Sequence, residues 1–138
     1  MSKTFIILCS LAVRFVWVSH NTLACQCVET KSVAHSVESS AAVFSGRGTK
    51  IYGTRIDFAV DRSWKGIAEP EITIYTPAQS TTCGYQFDER QEYLVYAYSQ
   101  AEDRLATDTC TRTRKLTDAQ QDIRELGSGK LVGEGRSN

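Results

Sequence analysis

The chain has no excess of charge: its 138 residues carry 16 basic and 16 acidic side chains. A nucleic-acid surface or a polybasic membrane contact needs a basic excess, and neither is indicated. Internal repeats are absent, as is any Gly- or Pro-rich linker that would divide the chain. Histidine is scarce, with His20 and His35 only. No CxxC pair occurs, so the ligand spacing of common structural zinc sites is missing. Apart from one segment near the N-terminus, long apolar stretches are also lacking.

That one segment reads as a secretion signal covering residues 1–24. Lys3 supplies a small positive region, and residues 4–13 are mostly apolar yet too short to span a bilayer. Thr22 and Ala24 place small residues at −3 and −1 of a cut before Cys25. The leader carries Lys3 and Arg14 away, leaving 14 basic against 16 acidic residues, a net charge of about −2. Thr22-Leu23-Ala24-Cys25 also loosely resembles a bacterial lipobox, a rival route that would put lipid on Cys25. The expected location is secreted, extracellular or periplasmic, with membrane contact only if Cys25 is lipidated. Residues 25–127 are expected to form one domain, and residues 128–138, rich in Gly and polar side chains, a disordered tail.

Of five cysteines, Cys9 lies in the leader, and Cys25, Cys27, Cys83 and Cys110 remain. An even count in a small secreted domain reads as two disulfides. A Cys25–Cys27 ring is too tight for ordinary geometry, so both should reach out to Cys83 and Cys110, in either pairing. Each such long loop would contribute about 4 kcal/mol on the loop-entropy model. A zinc site built from all four cysteines is the alternative, disfavoured by the secreted context and the missing CxxC.

The body reads as all-β with one or two helices. Val43 and Phe44 form a strand running into a bend at Ser45-Gly46. Ile56, Phe58 and Val60 alternate with polar residues, the period of a half-buried strand, which ends in a turn at Trp64-Lys65-Gly66. Ile72 and Ile74 mark another strand, stopped by Pro77. Residues 93–98 (YLVYAY) are apolar on both faces and read as central. Residues 107–113 read as a last strand carrying Cys110, and Arg112, Arg114 and Lys115 as its solvated end. Thr117 and Gln120 suggest a capping box, and Leu116, Ala119, Ile123 and Leu126 fall on one helical face stopped by Gly127. A weaker helical patch spans 32–38. Short strands with a capped helix and no βαβ alternation suggest a small closed barrel.

These residues carry a resemblance. Cys25-x-Cys27 follows the leader, FSG stands at 44–46 and an alternating strand runs into Trp64-Lys65-Gly66. IYTPA at 74–78, CGY at 83–85, EYLVYA at 92–97 and DTC at 108–110 follow, with a helix after them. In this order they resemble the N-terminal inhibitory domain of the tissue inhibitors of metalloproteinases, within the netrin-like modules. The match runs from Cys25 to about Leu126, and in its length the chain resembles the short single-domain bacterial relatives. The resemblance implies a closed five-stranded barrel of the oligonucleotide/oligosaccharide-binding (OB) type with disulfides Cys25–Cys83 and Cys27–Cys110. It also implies a partner, a zinc metalloproteinase, and a mechanism. The amine and carbonyl of Cys25 would chelate the protease zinc in place of its water, and Gln26 would enter the specificity pocket. Cys27 and Val28 would follow along the cleft, with Ser80, Thr81 and Thr82 completing the wedge. The chain would need no cofactor of its own and would act as a monomer. It departs from the family pattern at Gln26, where Ser or Thr is usual, at Glu29, where proline is common, and in lacking a third disulfide.

Enzymatic activity is not expected. His35 is the only histidine beyond the leader, and pairing of the thiols leaves no Cys–His couple. Asp88, Glu89 and Glu92 cluster near a turn and read as a solvated loop. The alternative to inhibition is a secreted or lipid-anchored binding module without a zinc-directed tip. Tyr75, Tyr85, Tyr93, Tyr96 and Tyr98 are the candidates for the face of such a module, although most of them read as core or barrel surface.

Overall fold

The computed structural model describes residues 25–29, 31–78 and 83–132. The leader expected over 1–24 and the wedge residues Ser80, Thr81 and Thr82 lie outside them. Seven strands occur among the described residues: β1 (Ala42–Tyr52), β2 (Arg55–Lys65), β3 (Glu71–Tyr75), β4 (Glu92–Gln100), β5 (Arg104–Ala106), β6 (Arg114–Lys115) and β7 (Lys130–Leu131). Two helices accompany them, α1 (Val33–Ser39) and α2 (Gln120–Leu126). Strands β1, β2, β3, β5 and β4 neighbour one another in that order, and β1 pairs back with β4, closing a five-stranded, OB-like barrel. All these pairings are antiparallel except β3 with β5, where Ile74 sits beside Leu105. Closure leaves the barrel strands with few free edges.

Alternation along the strands divides the apolar residues between two layers. Phe44, Ile56, Phe58, Ile74, Tyr93 and Val95 fill the barrel with Phe87 from the connection before β4. Phe58, Phe87 and Tyr93 meet edge to face, the arrangement that aromatic quadrupoles favour. Val43, Leu94 and Tyr96 point outward, where Ala119, Leu116, Ile123 and Leu126 cover them. β4 is therefore buried on both faces, which explains its unbroken apolar run. α1 is capped by Ser32, whose Oγ accepts from the His35 backbone N–H at 3.2 Å.

Several sequence expectations need correction. The bend at Ser45-Gly46 is instead continuous strand with register shifts that keep the pairing to β2. At Gly46 a side chain would collide with the Ala59 carbonyl, its Cβ falling 2.6 Å from that oxygen, so the glycine serves close strand approach. The Thr117–Gln120 capping box does not form. Residues Leu116–Asp118 make a 3-10 turn, α2 starts only at Gln120, and the Gln120 amide donates to the Leu116 carbonyl at 2.9 Å. The apolar face itself packs as expected, and Gly127 ends α2 with φ of 76°. The disordered tail is corrected for 128–132: Lys130 and Leu131 pair with Ser63 and Arg62 of β2. The Trp64 indole donates to the Gly127 carbonyl at 2.9 Å and packs on Gly129. Residues 133–138 lie outside the described residues.

Candidate functional site

Cys110 sits in a turn rather than a strand. After β5 ends at Ala106, the Asp108 carboxylate accepts from the backbone N–H groups of Cys110, at 2.8 Å, and Thr111, at 3.2 Å. This Asx turn gives the backbone a local alternative to a sheet ladder. The Tyr98 hydroxyl donates to the other Asp108 oxygen at 3.2 Å. Burial and then the Asp108 charge hold that phenol above its ordinary pKa. Below the turn the buried Thr107 hydroxyl donates to the Tyr96 carbonyl at 2.9 Å and meets the hydroxyls of Thr111 and Thr113.

Across from this turn lies Cys83. The Thr109 N–H donates to the Cys83 carbonyl at 3.0 Å, so the two segments that carry Cys83 and Cys110 are tied together through the backbone. Onto this pair the N-terminal segment is fastened twice. Cys25 bonds Cys83 with Cα atoms 4.9 Å apart, and Cys27 bonds Cys110 with Cα atoms 5.0 Å apart. Both pairings are those the resemblance implied. Gln26, Cys27, Val28 and Glu29 are exposed and Cys25 is half-buried. Val28, at 85% exposure, is an apolar side chain held out into solvent rather than folded onto the barrel.

A third tie is Arg112, which the sequence suggested only as a solvated strand end. Its Nη1 donates to the Lys31 carbonyl at 2.8 Å, while Nε and Nη2 donate to the two oxygens of Asp122 on α2 at 2.8 and 2.5 Å. The Tyr96 hydroxyl donates to the same carboxylate at 3.0 Å. Burial pushes the Asp122 carboxyl up, but its bonds from Arg112 and Tyr96 outweigh that and leave it below the ordinary value. The segment 25–31 is thereby held at Cys25, Cys27 and Lys31, and α1 follows directly. A groove of about 550 Å³ opens beside it, lined by Glu29, Tyr98, Asp108 and Arg114 among others.

Of the tyrosines considered for a binding face, Tyr93 is in the barrel and Tyr96 under the helices, both buried, in line with the reading of most of them as core. The acidic cluster is exposed, with Asp88 3.3 Å from Lys115 and Glu92 3.8 Å from Arg47. His35 is exposed on α1. Among the described residues no group of three or more His, Cys, Asp or Glu side chains is placed to hold a metal ion. No helix among them is long and apolar enough to cross a membrane, and the disulfides are compatible with an extracellular location. Comparison with protein-family models gives no match to this chain, and comparison with curated proteins gives none.

Proposed function

We propose that the chain is a secreted inhibitor of zinc metalloendopeptidases that acts through Cys25. The observation that carries this reading is the double pinning of the first described residues. Disulfides at Cys25 and Cys27 fix a short irregular segment on the barrel while Gln26 and Val28 stand exposed to solvent. A segment already ordered loses little conformational freedom when a protease cleft closes on it.

Removal of residues 1–24 after Ala24 frees the Cys25 α-amine. An α-amine has an ordinary pKa of about 8, so it gives up its proton to a Lewis acid at modest cost near neutrality. The Cys25 amine and carbonyl oxygen then take the place of the zinc-bound water that the protease uses as nucleophile. Gln26 projects beside them into the adjoining pocket, where its amide requires hydrogen-bond partners. Val28 supplies apolar contact further along. Glu29 adds a negative charge at the exit of the segment, which favours proteases with a basic rim.

The test combines mass and activity. The secreted protein should have the mass of a chain beginning at unmodified Cys25 with two disulfides, and should inhibit members of a panel of zinc endopeptidases. A lipid adduct on Cys25 would consume both the thiol and the amine and would exclude the mechanism.

A further inference from the structure

The two disulfides touch each other. Cys25 Sγ lies 3.6 Å from Cys110 Sγ, each belonging to a different bond. Reacting atoms in near-attack geometries stand about 3–3.5 Å apart, so these sulfurs are already close to exchange distance. The approach does not depend on the bonds alone. Cys110 is set by the Asp108 turn, and Thr109 ties that turn to the Cys83 carbonyl at 3.0 Å. On the other side Arg112 holds the N-terminal segment through the Lys31 carbonyl. Opening one disulfide therefore leaves the remaining supports in place. Cys27 and Cys110 are also exposed, which admits a reductant.

We propose that the four cysteines form a thiol-responsive relay in which reduction of either disulfide ends in a rearranged Cys25–Cys110 bond. The reductant is a dithiol. In the first route the dithiol reduces Cys25–Cys83, becoming a disulfide itself and passing two electrons and two protons to the two cysteines. The Cys25 thiol ionises and its thiolate attacks Cys110 Sγ. A Cys25–Cys110 bond forms, the Cys27–Cys110 bond breaks, and the electron pair leaves on Cys27, which takes a proton from solvent. In the second route the dithiol reduces Cys27–Cys110. The Cys110 thiolate attacks Cys25 Sγ and expels Cys83 as thiolate, which is protonated in turn. The second step of each route is an exchange with no change in oxidation level.

Both routes converge on one species: Cys25 bonded to Cys110, with thiols at Cys27 and Cys83. The N-terminal segment stays attached but is held by the Asp108 turn instead of by Cys83. Because attack requires a thiolate, the exchange slows as the medium is acidified. The inference stands on the sulfur geometry and does not depend on protease inhibition.

The experiment treats the disulfide-bonded protein with a substoichiometric amount of dithiothreitol at mildly alkaline pH, quenches with acid, alkylates, and maps linked peptides by mass spectrometry. The expected one-disulfide species carries alkyl groups on Cys27 and Cys83 and a Cys25–Cys110 crosslink. One-disulfide molecules that retain Cys25–Cys83 or Cys27–Cys110, or that show all pairings at random, would overturn the relay. A Cys83→Ser variant gives a second reading without added reductant. Its free thiol should be found on Cys27, with Cys25 bonded to Cys110, and a thiol on Cys25 would contradict the proposal.

Discussion

Arg112 and Asp122 face each other as a two-bond ion pair almost removed from water. Their nitrogens and oxygens approach to 2.5 and 2.8 Å, and the side chains are only 16% and 2% exposed. The same guanidinium reaches the Lys31 carbonyl, so one residue joins the start of the described chain to its last helix. Removing one partner of a buried pair strands the other charge, which costs about 3–5 kcal/mol. Arg112→Ala should therefore lower the unfolding free energy, measured by urea titration, by that much. The double change Arg112→Met with Asp122→Leu, which leaves no buried charge, should cost far less. Equal losses in the two variants would show that the pair is a bystander.

The same network sets the pH range of stability. Asp122 has its carboxyl pKa lowered in the fold, so its contribution is present above the unfolded value of about 4 and is lost as acid approaches the lower folded value. Tyr96 is raised, first by burial and then by Asp122, so its neutral form is favoured. Its contribution is intact below the unfolded value of about 10 and declines as pH rises toward the folded one. Thermal melts across pH should thus fall off at both ends. Tyr96→Phe should soften the alkaline decline without abolishing it, because Tyr85, Tyr93 and Tyr98 are also raised. An unchanged alkaline limb would remove Tyr96 from the account.

Much of this arrangement is legible in the sequence. Period-two alternation in residues 55–61 and the double-faced run at 93–98 identify β2 and β4 because burial alone decides those patterns. The disulfide partners follow from a resemblance, not from spacing, since four cysteines leave the connectivity open. What escapes has physical reasons. Thr107, Thr111 and Thr113 have strand-like propensity, but the Asp108 side chain captures two backbone N–H groups and forces a turn. The tail at 128–132 looks polar, yet Trp64 offers an apolar platform and β2 an open edge. Asp122 carried a usable signal. It lies three residues after Ala119, beside Ile123 on the apolar face of α2, and a carboxylate there demands a partner such as Arg112.

At Gly46 a methyl group would meet the Ala59 carbonyl at 2.6 Å, and neither strand can retreat without losing ladder bonds. Gly46→Ala should cost about 1–3 kcal/mol by overpacking. Denaturant unfolding checks this, and a loss confined to a few tenths would mean the strands shift freely.

Trp64 anchors the C-terminal segment through its bond to the Gly127 carbonyl and its contact with Gly129. Trp64→Phe keeps most of the ring and removes the donor, for a loss of about 1 kcal/mol. Hydrogen exchange should reveal the local effect at Val132, whose N–H donates to the Asp61 carbonyl at 2.9 Å. Unchanged protection there would show that β7 pairs without Trp64.

The central claim is that a free amine on Cys25, held by the bond to Cys83, does the inhibiting. The most direct measurement compares inhibition constants of two proteins against one sensitive zinc endopeptidase. One begins at Cys25, and the other carries a single alanine ahead of it, with both disulfides verified in each. The account predicts inhibition by the first and its loss in the second, since an amide nitrogen is a poor ligand. Equal inhibition by both, or none by the protein beginning at Cys25 across the panel, would contradict it.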